Sequence, residues 1–167
     1  QTNGEIGLSL ERMNAIEEID SDNRTMTVQS GCILQVAAEA AAERELLLPM
    51  DWGARGSATV GGGVSTNAGG NMVIRYGMAR DSVLGLEVVL ADGTVVTSLN
   101  KMLKNNTGYD LKQWFIGAEG TLGVVTRVVL RLRPLPTSQN TALLAVQDFP
   151  RVAELLRFLD ARSGGSL

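Results

Sequence analysis

Two glycine clusters carry the residues of this chain whose types and spacing could do chemistry. The first runs Trp52-Gly53-Ala54-Arg55-Gly56-Ser57-Ala58-Thr59-Val60-Gly61-Gly62-Gly63-Val64-Ser65-Thr66-Asn67-Ala68-Gly69-Gly70-Asn71 and closes on Arg75-Tyr76-Gly77. The second is Gly117-Ala118-Glu119-Gly120-Thr121-Leu122-Gly123. Glycine at the density of the first cluster costs conformational entropy on folding. With small hydroxyl and amide residues between the glycines and no sustained apolar period, the segment is predicted to form neither an ordinary core helix nor a strand. A long irregular stretch inside a compact domain is functional or disordered, and the strongly patterned apolar flanks argue for function. What glycine offers is close approach of the main chain, whose N–H groups can converge on an anion such as a phosphate. Taken alone, Gly61-Gly62-Gly63 reads equally well as a tight loop and as a phosphate cradle.

Other chemistry is excluded by what the chain lacks. The 167 residues contain no histidine, so there is no imidazole base, no imidazole metal ligand and no Ser–His or Cys–His pair. Cys32 is the single cysteine, which rules out an internal disulfide and points to a reducing compartment, the cytoplasm. A net charge of −3 without a basic block argues against a nucleic-acid surface and a polybasic membrane patch. No apolar run is long enough to span a bilayer, and Gln1-Thr2-Asn3-Gly4-Glu5 lacks the features of a signal peptide. At 44% hydrophobic residues the chain can bury one sizeable core.

The elements that must position the clusters follow from periodicity. An antiparallel meander is expected over residues 6–30, from Leu8 and Leu10 through Met13, Ile16 and Ile19 to the alternating Thr25–Gln29, with Asp20-Ser21-Asp22-Asn23 as turn. Ile33, Val36, Ala37, Ala40 and Ala41 fall at helical spacing. Leu46-Leu47-Leu48 reads as a short buried strand stopped by Pro49. After the first cluster, Leu84, Leu86, Val88 and Leu90 alternate with other residues, and Asp92-Gly93 joins them to Val95 and Val96 as a hairpin. A polar loop over 100–106 leads to a short helix ending near Phe115. From the second cluster runs the clearest strand: Val124, Thr126, Val128, Leu130 and Leu132 on one face, with Arg127, Arg131 and Arg133 on the other, ended by Pro134 and Pro136. Thr141–Gln147 reads as another strand and Val152, Leu155, Leu156 and Leu159 as a helix after Pro150. Strands outnumber convincing helices, and neither G-x-x-x-x-G-K-[ST] nor a strand-to-helix G-x-G-x-x-G is present. The expected class is therefore α+β, a mostly antiparallel sheet flanked by helices.

Taken in order, Pro49-Met50-Asp51, Gly61 to Gly70, Arg75-Tyr76-Gly77, Leu84 to Gly93, Asn106-Thr107-Gly108-Tyr109-Asp110-Leu111 and Gly117 to Gly123 are far more specific than any one of them. Over about residues 5–140 the chain resembles the FAD-linked oxidases and dehydrogenases of the vanillyl-alcohol oxidase superfamily. Within it, the D-2-hydroxyacid dehydrogenase branch (the glycolate oxidase FAD subunit, D-lactate dehydrogenase and D-2-hydroxyglutarate dehydrogenase) is the most similar.

The resemblance implies the second subdomain of a PCMH-type FAD-binding domain, with the diphosphate of FAD held by backbone amides of glycine loops. By similarity the contacts fall on Pro49, Met50, Asp51, Trp52, Gly53, Ala54 and Arg55; on Gly62, Gly63, Val64, Ser65, Thr66 and Asn67, with Gly69 and Gly70 behind them; and on Glu119, Gly120, Thr121, Leu122, Gly123, Val124 and Val125. Thr66 and Asn67 are expected to add side-chain hydrogen bonds, Asn67 alternatively bonding its own backbone as a turn residue. Side chains at Gly62 or Gly69 are expected to fill the diphosphate's space, at positions that could require φ > 0. Glu119 is expected to orient its loop rather than act as a base. Tyr76 reads equally as a flavin neighbour or a packing residue, Arg75 and Arg80 as diphosphate attractors or a solvated face, and Trp52 and Trp114 as core anchors.

In the family, a first loop of the type Pro-x-Gly-Gly-x-Thr precedes the segment matched by residues 8–14, and a histidine-bearing cap follows. Residues 1–136 are thus expected to be a partial FAD-binding domain and 137–167 a linker with the start of a cap that holds substrate. No catalytic or metal-binding residue is expected in this chain. The implied activity of the intact enzyme is transfer of a hydride from C2 of a small 2-hydroxy acid (D-lactate, glycolate or D-2-hydroxyglutarate) to flavin N5, with an electron acceptor that the motifs leave open. Two other readings stand beside it: a flavin oxidase of another alcohol or ether-lipid precursor, and a non-catalytic nucleotide-binding scaffold.

Overall fold

The computed structural model describes Gly4 and residues 6–163. Most of the N-terminal stretch read above for signal features lies outside the described residues. The contacts divide the chain into two compact units, Gln1–Leu135 and Pro136–Leu167.

The first unit is built on a five-stranded sheet. Its strands are β1 (Ile16–Asp20), β2 (Thr25–Gln29), β4 (Val83–Val89), β5 (Val95–Ser98) and β6 (Val124–Arg131), in the order β1-β2-β6-β4-β5 with every pairing antiparallel. The expected α+β class is what the fold shows, although residues 6–10 form no strand. Asp20 makes the first turn by accepting from the Asn23 N–H at 2.9 Å, leaving Arg24 in the left-handed region at φ 53°. Asp92-Gly93 makes the second, with Gly93 at φ 85°. A separate two-stranded ribbon pairs β3 (Leu46–Leu47) with β7 (Arg133–Pro134).

One sheet face carries Met26, Val28, Val88, Val128 and Leu130, packed in one core with Leu34, Ala37 and Ala41 of α1 (Leu34–Ala42) and Val60 and Val64 of α2 (Val60–Ser65). Each valine, leucine or methionine among them contributes roughly 1.5–3 kcal/mol when fully buried. The other face is covered as well. The segment 98–100 crosses it so closely that a Cβ on Gly85 would lie 2.5 Å from the Ser98 carbonyl oxygen, and Thr25, Thr27, Val129 and Thr126 are buried. Arg127 of β6 ties the strands laterally, donating to Glu17 of β1 at 2.8 Å and to Glu87 of β4 at 2.7 Å.

Three short helices, α3 (Val73–Tyr76), α4 (Ala79–Ser82) and α5 (Lys112–Phe115), connect these strands. In the second unit the expected helix forms as α6 (Phe149–Ser163), with Pro150 in its first turn and Asp148 accepting from the Arg151 N–H at 3.0 Å. The strand expected over 141–147 does not form. Its main chain has no neighbouring strand to bond, and a strand without a partner leaves its N–H and C=O groups to water.

Candidate functional site

The three consecutive glycines lie inside helix α2, where composition predicted none. Local capping and tertiary packing override the propensity cost of about 1 kcal/mol per glycine. Thr59 is the N-cap, its hydroxyl accepting from the Gly62 N–H at 3.1 Å. At the other end Asn67 stands in the left-handed conformation, φ 49°. Its N–H donates to the Val64 carbonyl and that of Ala68 to the Gly63 carbonyl, the double bond of a Schellman termination.

The packing explains why only glycine fits at two of the three. A Cβ on Gly61 would lie 1.8 Å from Ser30 Oγ and 2.8 Å from the Ser30 carbonyl, and one on Gly63 would lie 2.1 Å from the Trp52 indole. Gly62 faces outward and would meet only Thr59 Oγ1, at 3.0 Å. Neither Gly62 nor Gly69 has the positive φ considered for them; Gly70 does, at 115°.

The N–H groups of Val60, Gly61, Gly62 and Gly63 donate to Cys32 O, Ser30 O, Thr59 Oγ1 and Thr59 O, so the amides of the glycine run are consumed inside the protein. Open donors lie elsewhere. Among the described residues, the amides of Gly53, Gly56, Gly69, Gly70, Gly120 and Leu122 donate to no protein acceptor.

The loop carrying Gly53 and Gly56 is held firmly on its hidden side. Pro49 and Met50 are buried, and the carbonyls of Arg55 and Ala58 accept from Gln35 and Leu34 at the start of α1. Asp51 accepts from Arg55 Nε at 3.0 Å and from Asn71 Nδ2 at 3.3 Å, while its carbonyl accepts from Asn71 N at 2.7 Å. Gly70 passes over this joint, where a Cβ would lie 2.1 Å from Asp51 O.

The second glycine cluster docks on the C-terminal end of α2. Gly117 N donates to Val64 O at 3.1 Å and Glu119 N to Ser65 O at 2.9 Å. Beside this junction lies a cleft of about 340 Å³, within the range of ligand sites. It is lined by Leu8, Leu10, Glu11, Ser30, Thr59, Gly61, Gly62, Ser65, Glu119, Gly120, Gly123, Val124 and Val125. The structure thus gathers Gly62, Ser65 and five of the residues in 119–125 around one space. Pro49 to Arg55, Thr66, Asn67, Gly69 and Gly70 lie outside its lining. Leu8, Leu10, Glu11 and Ser30 were not singled out for a site, and only the Thr59 cap, three residues before Gly62, left a legible signal.

The cleft holds two carboxylates, Glu11 and Glu119, and no cation. Its apolar wall and acceptors suit an uncharged, hydroxyl-bearing or heterocyclic group better than a phosphate. Thr66 donates its hydroxyl to Gly62 O at 3.0 Å, and Asn67 Oδ1 accepts from Arg80 N at 3.0 Å; both side chains are engaged locally. Arg75 lies 5.1 Å and Arg133 6.0 Å from the Tyr76 ring centroid. Trp52 packs against the core, whereas Trp114 is 71% exposed and anchors nothing. Burial pushes the Cys32 thiol up, away from reactivity.

An antiparallel sheet with helices, glycine loops with open backbone donors and a ligand-sized cleft together make the frame of a cofactor-binding domain. Residues 1–98 match the FAD binding domain family, and the chain belongs to that family. It is 47% identical over 160 residues to bovine mitochondrial D-2-hydroxyglutarate dehydrogenase, covering 96% of this chain and 29% of that protein. With D-2-hydroxyglutarate dehydrogenase of Xanthomonas citri it shares 46% over 147 residues, 88% of this chain and 31% of the relative. Among solved structures, an alkyldihydroxyacetonephosphate synthase superposes with a TM-score of 0.67 at 25% identity, over 77% of this chain and 23% of that one. The chain thus spans about 30% of the length of these curated relatives. No helix among the described residues is long and apolar enough to cross a membrane.

Proposed function

We propose that the chain is the FAD-binding portion of a flavin-dependent D-2-hydroxyacid dehydrogenase of the D-2-hydroxyglutarate type. The observation that carries this reading is identity of 47% across 96% of the chain with a protein of that name. The 25% identity to the alkyldihydroxyacetonephosphate synthase leaves the ether-lipid reading behind.

The residues present fit FAD in a divided way. We assign its adenosine end to the cleft, where Leu8, Val124 and Val125 offer apolar contact and Glu119 an acceptor. The diphosphate we assign to the open amides of Gly53, Gly56, Gly69 and Gly70 and of the 119–125 loop, which can hold an anion without lysine. Pro49 to Arg55, Gly62 to Asn67, Gly69, Gly70 and Glu119 to Val125 remain the proposed contact set, now joined by Gly56, with the side chains of Thr66 and Asn67 supporting the main chain. Bound flavin supplies a hydride acceptor; the residues of this chain bind and orient it. With no histidine in the chain, we assign no catalytic residue to it, and we place substrate groups in a cap whose linker and beginning are residues 137–167. A reducing compartment suits the lone buried Cys32; we place the protein in the cytoplasm, while the bovine relative is named as mitochondrial.

The test uses the full-length protein. Stoichiometric flavin absorbance is expected, with D-2-hydroxyglutarate reducing an artificial acceptor at a higher kcat/KM than D-lactate or glycolate. A preference of tenfold or more for either of the latter overturns the substrate assignment, and a flavin-free protein that takes up no FAD overturns the cofactor assignment.

A further inference from the structure

We propose that Arg80 is a positioning residue for the cofactor site, a latch that sets the second glycine loop against the first, rather than a ligand of the diphosphate. The proposal rests on the FAD reading above. Arg80 sits on α4, partly buried, and its main-chain N–H and its guanidinium are turned toward the junction of the two clusters. Its main-chain N–H donates to Asn67 Oδ1 at 3.0 Å. Nη1 donates to the Gln113 carbonyl at 3.0 Å and to the Gln113 side-chain oxygen, and Nη2 donates to the Ile116 carbonyl at 2.5 Å.

The carbonyls of Gln113 and Ile116 belong to the C-terminal turn of α5 and the residue capping it. Such carbonyls lack intrahelical partners and favour a cation. Ile116 is also the residue from which the second loop departs. Its far end is fixed where Val124 pairs with Val89 in the sheet. Residues 117–123 therefore run from the end held by the guanidinium, over the two bonds to α2 at Gly117 and Glu119, to the strand, and the open amides of Gly120 and Leu122 lie on that span. The seam is tight: a Cβ on Gly117 would lie 3.2 Å from Asn67 Cβ and 3.6 Å from Arg80 Nη2, at a φ of 83°.

Arginine is required by geometry. One planar fork reaches acceptors on two residues at once, which the single ammonium of lysine does not reproduce. Among the described residues no carboxylate comes within ion-pair distance of Arg80. The Asp110 carboxylate feels this charge without pairing with it, and the positive potential behind the loop favours an anion in front of it.

The test compares Arg80→Met and Arg80→Lys with wild type in the full-length protein, after removal of FAD and titration back. Three readouts are the FAD dissociation constant, the visible circular dichroism of bound flavin, and amide exchange in the apoprotein. Arg80→Met is expected to raise the dissociation constant at least tenfold, with Arg80→Lys between it and wild type and an altered flavin dichroism in both. Exchange at Gly117 and Glu119, whose amides are bonded to Val64 and Ser65, is expected to accelerate at least tenfold, while Val128 in the sheet keeps its wild-type rate. Should Arg80→Met fail to fold, Arg80→Lys decides by the same readouts. Dissociation constants within twofold of wild type, or unchanged exchange at Gly117 and Glu119, overturn the proposal. A wild-type protein that binds no FAD overturns instead the reading on which it rests.

Discussion

Substituting Gly61, Gly62 and Gly63 one at a time by alanine separates packing from cofactor contact, because the three neighbours face different surroundings. At Gly61 the new methyl would lie 1.8 Å from Ser30 Oγ and 2.8 Å from the Ser30 carbonyl. The hydroxyl can rotate away, but the carbonyl is held at the end of β2, where it accepts from the Gly61 N–H at 2.8 Å. Helix α2 must back off from the sheet. With a backbone carbonyl in the way, overpacking costs the upper part of its usual range, about 2–3 kcal/mol, and alanine returns about 1 kcal/mol of helix propensity, leaving a loss of roughly 1–2 kcal/mol. In a domain of this size that corresponds to a fall in Tm of about 3–8 °C. At Gly63 the clash is with the Trp52 indole, a side chain that can swing, so the stability loss is smaller and Trp52 fluorescence shifts. At Gly62 only the Thr59 cap hydroxyl must yield, at 3.0 Å, and the net effect lies between zero and about 1 kcal/mol of stabilisation. That methyl nevertheless enters the cleft, and FAD affinity is expected to fall several-fold, further for Gly62→Val. Thermal melts of the apoprotein and FAD titrations check each variant. Equal destabilisation at Gly61 and Gly62, or wild-type FAD affinity in Gly62→Val, refutes the division of roles.

Gly70→Ala combines a left-handed φ of 115° with a Cβ 2.1 Å from Asp51 O; a loss of about 2 kcal/mol or more and of most bound FAD is expected. A Cβ at Gly69 meets nothing nearer than 3.8 Å, so the melt of Gly69→Ala should match wild type while FAD binding weakens. Hydrogen bonding from Arg127 holds the Glu17 carboxyl below its ordinary value, so its contribution to stability is present above the unfolded value of about 4.3 and is lost as pH falls through the lower folded one. The wild-type advantage over Glu17→Gln, measured by denaturant melts, should therefore be present at neutral pH and vanish in acid. The 167-residue chain by itself should reduce no dye with D-2-hydroxyglutarate, D-lactate or glycolate even with added FAD, since it contains no imidazole to take the hydroxyl proton. Substrate-dependent turnover by the chain would show that catalytic groups lie within it.

Much of the scaffold was written in local pattern. The Asp20–Asn23 turn, the Asp92-Gly93 hairpin and the helix from Leu34 depend on neighbours within a few residues, where side-chain period and turn chemistry act directly. The ordered motifs likewise carry the family in the sequence alone. Tertiary contact decided what locality could not reach. Thr59 and Asn67 are good cap residues, but whether three glycines between them coil into a helix depended on Ser30 and Trp52 presenting surfaces only glycine could meet. Alternation along β6 suggested one buried face, yet Val129 is buried too, because a segment about 30 residues upstream crosses the far side of the sheet at Gly85, and Val125 turns into the core where the pairing with β4 shifts register. Thr141–Gln147 has strand composition and no strand beside it. Arg80 reads in the sequence as a diphosphate attractor or a solvated charge; the role proposed for it follows from acceptors 33 and 36 residues away. A side chain's partners at that separation are set by how the sheet orders its strands, and hydrogen-bond geometry at the junction exists only once β6 has paired between β2 and β4.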